Sequence, residues 1–276
     1  MSKIVLPTAK SIPKMTLSDM RILLHGWPKS GKSTLAAYCP NTIFLKTERG
    51  TQGLSVHSIP EDPKAILETW DEVSEAIDLL KSKGTDKFDI VVIDTLDELC
   101  QMITKQVALD HGVEHISKLK WGQGWDEAKR RVKGLLEAIY EDFGVILISH
   151  SKSVEESRGA VDITRIVPSI TGSMRDVITG WVDQTIYLDV CNVQIVEGEE
   201  GKEVVVGQDI RHFAVCRLTE YIEAGGRLHH MPEEFVLGET PSEGFAVFNK
   251  YFEEAARVLL AEYAEMTKPK TTRKRK

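Results

Sequence analysis

The nine residues Gly26, Trp27, Pro28, Lys29, Ser30, Gly31, Lys32, Ser33 and Thr34 satisfy the spacing G-x-x-x-x-G-K-[ST]. An apolar run at 21–25 precedes them and a helix-forming run at 32–38 follows. No other feature constrains the fold as tightly, because such a loop works only where a strand hands over to a helix at the carboxyl edge of a sheet. The glycines let the backbone wrap a phosphate chain with its N–H groups pointing inward, and the new helix adds its positive end. In that frame Lys32 neutralises β- and γ-phosphate charge and the Ser33 hydroxyl ligates Mg²⁺. The expected cofactors are ATP and Mg²⁺.

The rest of the chain supplies the sheet. Residues 42–46, 88–94 and 144–149 are apolar without alternation and rich in β-branched side chains, as strands covered on both faces by helices should be. A helix opening at Asp62-Pro63 carries Ile66, Trp70, Val73, Ile77 and Leu80 on one face and ends near Gly84. Further helices are predicted over 96–110, 125–143 and 242–266. Residues 151–172 show no sustained periodicity and predict a long mobile loop. Residues 185–190 and 211–218 read as strands, with a hairpin at 193–206 turning over EGEEGK. Together these predict an α/β fold, a doubly wound, mainly parallel sheet with a C-terminal β-hairpin and helix. Residues 1–20, interrupted by Pro7 and Pro13, read as an extended lead-in, 21–266 as one ATPase domain, and 267–276 as a basic disordered tail.

The net charge of −7 excludes a chain coated with basic residues for gripping nucleic acid, so any such site must be local. The tail, with Lys268, Lys270, Arg273, Lys274, Arg275 and Lys276, is a separate electrostatic object: a solvated end or a flexible arm on phosphate backbones. No apolar run reaches the roughly 18–20 residues that span a bilayer. The N-terminus lacks the apolar core of a secretory signal, which predicts a cytoplasmic protein without a membrane partner. Cys39, Cys100, Cys191 and Cys216 fit neither a zinc spacing nor a disulfide framework and read as reduced.

Asp94 ends the run FDIVVID at the sheet edge where it can reach the magnesium. Asp97 and Glu98 follow on the first turn of the next helix, where the dipole favours acids in any case. Hydrolysis needs a group that orients water against the γ-phosphate, and Glu48, after the strand at 42–46, is the candidate; an exposed loop glutamate is the plain alternative.

The P-loop, the strand ending Thr47-Glu48-Arg49-Gly50, the run IVVIDTLDEL and the strand ILISH at 146–150 resemble the shortened RecA-like ATPases of phages. That group includes single-strand annealing proteins of phage recombination, and the resemblance spans about residues 21–190. It implies a catalytic set of Lys32, Glu48, Asp94 and His150, with His150 at the polar position that ends the sensor strand. RecA carries glutamine there. It implies DNA-binding segments at 116–124, with Lys118, Lys120 and Trp121, and at 152–171, with Lys152, Arg158 and Arg165. Trp121 and Trp125, four apart, could instead pack on a helix face. It also implies a ring or filament of identical subunits with ATP at the interface, where Arg217 or Arg227 acts in trans. The implied partners are single-stranded DNA, a second copy and a single-strand-binding protein, in the host cytoplasm if phage-encoded. Two other readings stay open: an ATP-switched binding module for a replication or recombination protein, and a small P-loop kinase.

Overall fold

The computed structural model describes residues 6, 10–11, 13–158, 161–197 and 204–267. The basic tail and most of the predicted EGEEGK turn lie outside the described residues. In chain order the elements are β1 (Arg21–Gly26), α1 (Lys32–Ala37), β2 (Thr42–Lys46), β3 (His57–Ile59), α2 (Trp70–Lys83), β4 (Ile90–Asp94), α3 (Leu96–Asp110) and α4 (Gln123–Tyr140). They continue with β5 (Gly144–Arg158), β6 (Val161–Pro168), α5 (Gly172–Trp181), β7 (Gln184–Glu197), β8 (Val204–Val215), β9 (Gly225–Gly226), β10 (Glu234–Val236) and α6 (Pro241–Thr267).

The sheet runs β10-β8-β7-β1-β5-β4-β2-β3. The six strands from β7 to β3 are parallel, and β8 and β10 add antiparallel pairs beyond β7. Alternate residues of each central strand feed opposite faces. Leu23, Leu45, Val91, Ile93, Val145 and Leu147 pack beneath α2, α3, α4 and α5. Ile22, Leu24, Phe44, Val92, Ile146 and Ile148 pack beneath α1 and α6. Both faces are dry, so these runs are apolar at every position, each full side-chain burial contributing roughly 1.5–3 kcal/mol. The doubly wound, mainly parallel sheet with a C-terminal hairpin and helix is therefore present.

Three expectations are corrected and a fourth is extended. Leu17 and Met20, within the stretch read as a lead-in, are buried in the second core cluster. The helix expected from Asp62-Pro63 begins at Trp70: Thr69 accepts a hydrogen bond from the Glu72 N–H, and Glu72 accepts from the Thr69 N–H. That capping box, rather than the proline, sets the start, while 57–59 pairs with β2. The loop expected at 151–172 is instead a β-hairpin, β5 with β6, registered from Ser151 opposite Pro168 to Arg158 opposite Val161, with α5 starting at Gly172. Its partner strand SKSVEES carries one apolar side chain, Val154, so no stripe betrays the pairing. The strands predicted at 185–190 and 211–218 and the hairpin predicted at 193–206 are present, joined into one long pair from Tyr187 opposite Val215 to Glu197 opposite Val204.

His25, on β1, is buried between Ser151 Oγ at 2.9 Å and the Glu223 carbonyl at 2.6 Å. Burial depresses its titration from the ordinary value to about 4. An unfolded imidazole binds its proton near pH 6.5, so between that pH and 4 the unfolded state holds the extra proton. Stability is then full above 6.5 and is lost progressively as pH falls, by on the order of 3 kcal/mol in all. Urea denaturation at pH 6.5 and pH 5 is expected to show a wild-type loss about 2 kcal/mol larger than that of His25→Gln. Equal losses would remove His25 as the titrating group.

Candidate nucleotide site and the cleft beside it

Parallel register brings the carboxyl ends of β1, β2, β4 and β5 together. Gly26 lies opposite His150, and Asp94 opposite Lys46 and Ile148. A Cβ on Gly26 would stand 2.1 Å from the Leu188 carbonyl oxygen on β7, so the first loop glycine is required by strand packing. Gly31 has φ 91°, a left-handed conformation that lets α1 begin at Lys32. Lys29 also has φ in this region, at 68°.

Lys32 is only 6% exposed, and its Nζ donates to the carbonyls of Gly26 at 2.9 Å and Trp27 at 2.8 Å. Burial lowers the affinity of this ammonium for its proton, against the pull of Asp94, Asp97, Glu48 and Asp189. A buried cation satisfied by the carbonyls of its own loop suits a phosphate chain entering that loop. Ser33 Oγ donates to Asp94 Oδ2 at 2.7 Å, and burial pushes the Asp94 carboxyl up to about 6. These two hard oxygens are the donor type that Mg²⁺ takes, so Ser33 and Asp94 would hold the ion, and a divalent charge would offset the burial of Asp94.

Glu48 is held by Thr95 Oγ1, which donates to its Oε2 at 3.1 Å, and stands 3.1 Å from His150 Nε2. Thr47 and Glu48 both donate their backbone N–H to the Asp94 carbonyl, which fixes the glutamate against the end of β4. His150 Nδ1 has no hydrogen-bond partner among the described residues. Lys32, Ser33, Glu48, Asp94 and His150 line one cavity of about 500 Å³, with Lys29, Arg49 and Gln52 at its mouth. On the other side of Thr34 a cavity of about 380 Å³ is lined by His212 and Leu237–Pro241.

Asp97, on the first turn of α3 where any acid is favoured by the dipole, has a specific task. Its carboxylate accepts from Ser149 Oγ and from the His150 N–H, both at 2.7 Å, so it clamps the middle of β5. Its place one turn into the helix after Asp94 was the only signal, and that signal has a generic explanation.

The sequence profile of the AAA domain family matches residues 18–228. The chain belongs to the AAA domain family. No curated protein matches it. Among solved structures, flagellar accessory protein FlaH from Methanocaldococcus jannaschii aligns at 12% identity and a TM-score of 0.38, covering 82% of this chain and 88% of that one. Among the described residues of this AAA domain no helix is long and apolar enough to cross a membrane.

The remaining candidate residues of the AAA domain fall in three places. Trp121 is 93% exposed with φ 58°, a conformation strained for an aromatic residue, whereas Trp125 packs against the core. The two tryptophans therefore do not share a packed helix face. Trp121, Trp125, Lys129, Lys152, Thr171 and Ser173 line a cleft of about 600 Å³ that brings the two predicted DNA segments together. Lys152 Nζ donates to the Ile170 carbonyl there, and Lys129 pairs with Asp126. Lys120 is exposed nearby, whereas Lys118 pairs with Glu114. Arg165 lies outside the cleft lining and is paired with Glu156 at 3.1 Å. The side chain of Arg158 lies outside the described residues.

Arg217 donates to the carbonyls of Met231 and His229. Arg227 binds Asp183 at 2.6 Å, beside Arg21, at the amino end of β7 and so at the opposite end of the parallel strands from the P-loop. Cys39, Cys100, Cys191 and Cys216 are free thiols.

Proposed function

We propose that this chain is a Mg²⁺-dependent ATPase that binds single-stranded DNA and promotes annealing or strand pairing in phage DNA recombination. The supporting observation is the course of β5. His150, beside Glu48 in the nucleotide cavity, and Lys152, in the Trp121 cleft, are two residues apart on one strand, and so on one side of it and about 7 Å apart. A change at the γ-phosphate that moves His150 moves the cleft with it.

In this reading Lys32 and the amides of 26–34 hold the phosphates. Ser33 and Asp94 hold Mg²⁺, which neutralises phosphate charge when bound. Glu48 orients the attacking water, with Thr95 and His150 fixing its carboxylate. Trp121 offers a face on which a base can stack, and Lys152, Lys129 and Lys120 meet the backbone charge. The active form is a ring or filament of copies with ATP at the interface. Arg217 or Arg227 would act in trans there after exchanging its intrachain partners.

The test is the ATPase rate with single-stranded, duplex or no DNA across salt concentration. Stimulation by single strands alone is expected; a rate that ignores DNA at low salt would transfer the function to a protein-switched module or a kinase. Trp121→Ala is expected to weaken single-strand binding by roughly 5–150-fold, the worth of one base–aromatic stack, without changing the DNA-free rate. Lys152→Gln is expected to reduce the salt slope by about 0.7. Unchanged DNA affinity in both variants would place DNA elsewhere.

A further inference from the structure

The turn after β9 and the C-terminal helix bring two imidazoles and a carboxylate together, far from the nucleotide cavity. The ligand atoms of His229, His230 and Glu262 all lie within 4.8 Å of one another, the one such cluster of three among the described residues. His230 Nε2 stands 3.0 Å from Glu262 Oε1, and His229 Nε2 stands 3.9 Å from Glu262 Oε2.

The hydrogen bonds of the cluster leave the Nε2 atoms of both rings facing Glu262. His229 Nδ1 lies 3.1 Å from the Arg227 carbonyl. A carbonyl can only accept, so Nδ1 carries a proton, which leaves Nε2, on the side of Glu262, as the nitrogen free to ligate. His230 Nε2 is buried yet makes no hydrogen bond, because its short approach to Glu262 is out of line. Two imidazole nitrogens set against one carboxylate make a donor set that a cation can bridge. A ring nitrogen whose partner nitrogen donates to a backbone carbonyl is also the usual arrangement of a metal-bound histidine.

We propose that His229, His230 and Glu262 bind one Zn²⁺-class ion. Two nitrogens and one carboxylate suit a borderline transition metal, whereas Mg²⁺ and Ca²⁺ take oxygen ligands. Zinc bonds of about 2.0–2.2 Å place neighbouring ligand atoms roughly 3.3–3.5 Å apart, so the half-open His229 side chain closes by a fraction of an ångström toward Glu262. A water fills the fourth position. The turn is prepared for this from its other side, where Arg217 donates to the carbonyls of His229 and Met231.

The ion staples this turn to α6, whose Phe252, Ala255 and Leu259 are buried in the core. Pro241, at the other end of α6, lines the 380 Å³ cavity beside Thr34 and lies about 31 Å from Glu262 along the helix axis. The staple therefore fixes the far end of the helix that walls the nucleotide side of the molecule.

The experiment uses tag-free full-length protein stripped with a chelator, kept in Mg²⁺, and titrated with Zn²⁺ against a chromophoric competitor. One equivalent is expected to bind, and Zn²⁺ at 100 times its dissociation constant is expected to raise the thermal midpoint by about 5–10 °C. Co²⁺ in its place is expected to show weak visible bands without thiolate charge transfer, which separates this site from the four cysteines. His230→Ala and Glu262→Gln are expected to lose the equivalent and the thermal shift while unfolding cooperatively without metal. Glu262→Gln keeps the shape of the side chain, so its loss reports the ligand rather than the fold. Absence of a bound equivalent, or wild-type binding in both variants, overturns the proposal.

Discussion

Lys32→Ala is expected to abolish nucleotide hydrolysis, with kcat/KM falling by at least the order of 10²–10³ that one preorganised donor supplies. The side chain has two tasks in this structure. Its Nζ closes the loop by donating to the carbonyls of Gly26 and Trp27, and under the proposed function the same ammonium faces the phosphates. Alanine removes both, so nucleotide affinity and turnover fall together, the pattern of a contact already made in the ground state and strengthened in the transition state. Stability behaves differently. Burying an ammonium is costly, and water can reach the freed carbonyls through the 500 Å³ cavity, so the thermal midpoint is expected to change little. Lys32→Arg is not expected to rescue, because a planar fork cannot fold back onto two carbonyls as a compact ammonium does. Undiminished turnover in Lys32→Ala, measured by phosphate release with the midpoint unchanged, would sink the assignment of this loop as the phosphate cradle.

What the sequence disclosed and what it hid follow a physical division. The strand that ends on Asp94 and the first part of β5, up to His150, are buried on both faces, and burial writes itself as continuous β-branched runs. The glycines of the loop are legible for the same kind of reason: a Cβ at Gly26 collides with Leu188, and Gly31 occupies a left-handed conformation. The β5–β6 hairpin was not legible because Lys152, Ser153, Glu155, Glu156 and Ser157 leave a polar strand that reads as a loop. The clamp of Asp97 on Ser149 and His150 was hidden because it joins residues about fifty apart whose types are ordinary for a helix start. The helix α2 was displaced because a proline signal at Pro63 outweighed the true cap at Thr69. The clamp of Asp97 is decided by a contact between distant segments of which local pattern carries no trace, whereas the cap at Thr69 is local and was outweighed by a competing local signal.

Glu48→Gln is expected to separate binding from hydrolysis. The amide keeps the length of the side chain, can still accept from Thr95 Oγ1 and can still pair with His150 Nε2, so the geometry of the cavity persists. It cannot take a proton from water. If Glu48 is the base that orients and activates that water, kcat falls by on the order of 10²–10⁴ while nucleotide affinity stays within about threefold. This contrasts with Lys32→Ala, in which both fall, and the contrast identifies the two roles better than either variant alone. The variant also tests the link along β5. With ATP held uncleaved, His150 and hence Lys152 stay in the ATP-bound arrangement. Single-strand affinity of Glu48→Gln with ATP is then expected to equal that of the wild type with a non-hydrolysable analogue, and by reciprocity DNA tightens the analogue by the same factor. Turnover within about threefold of wild type would remove Glu48 from the chemistry. Lost turnover with a DNA affinity indifferent to nucleotide would keep the ATPase and break the coupling through His150.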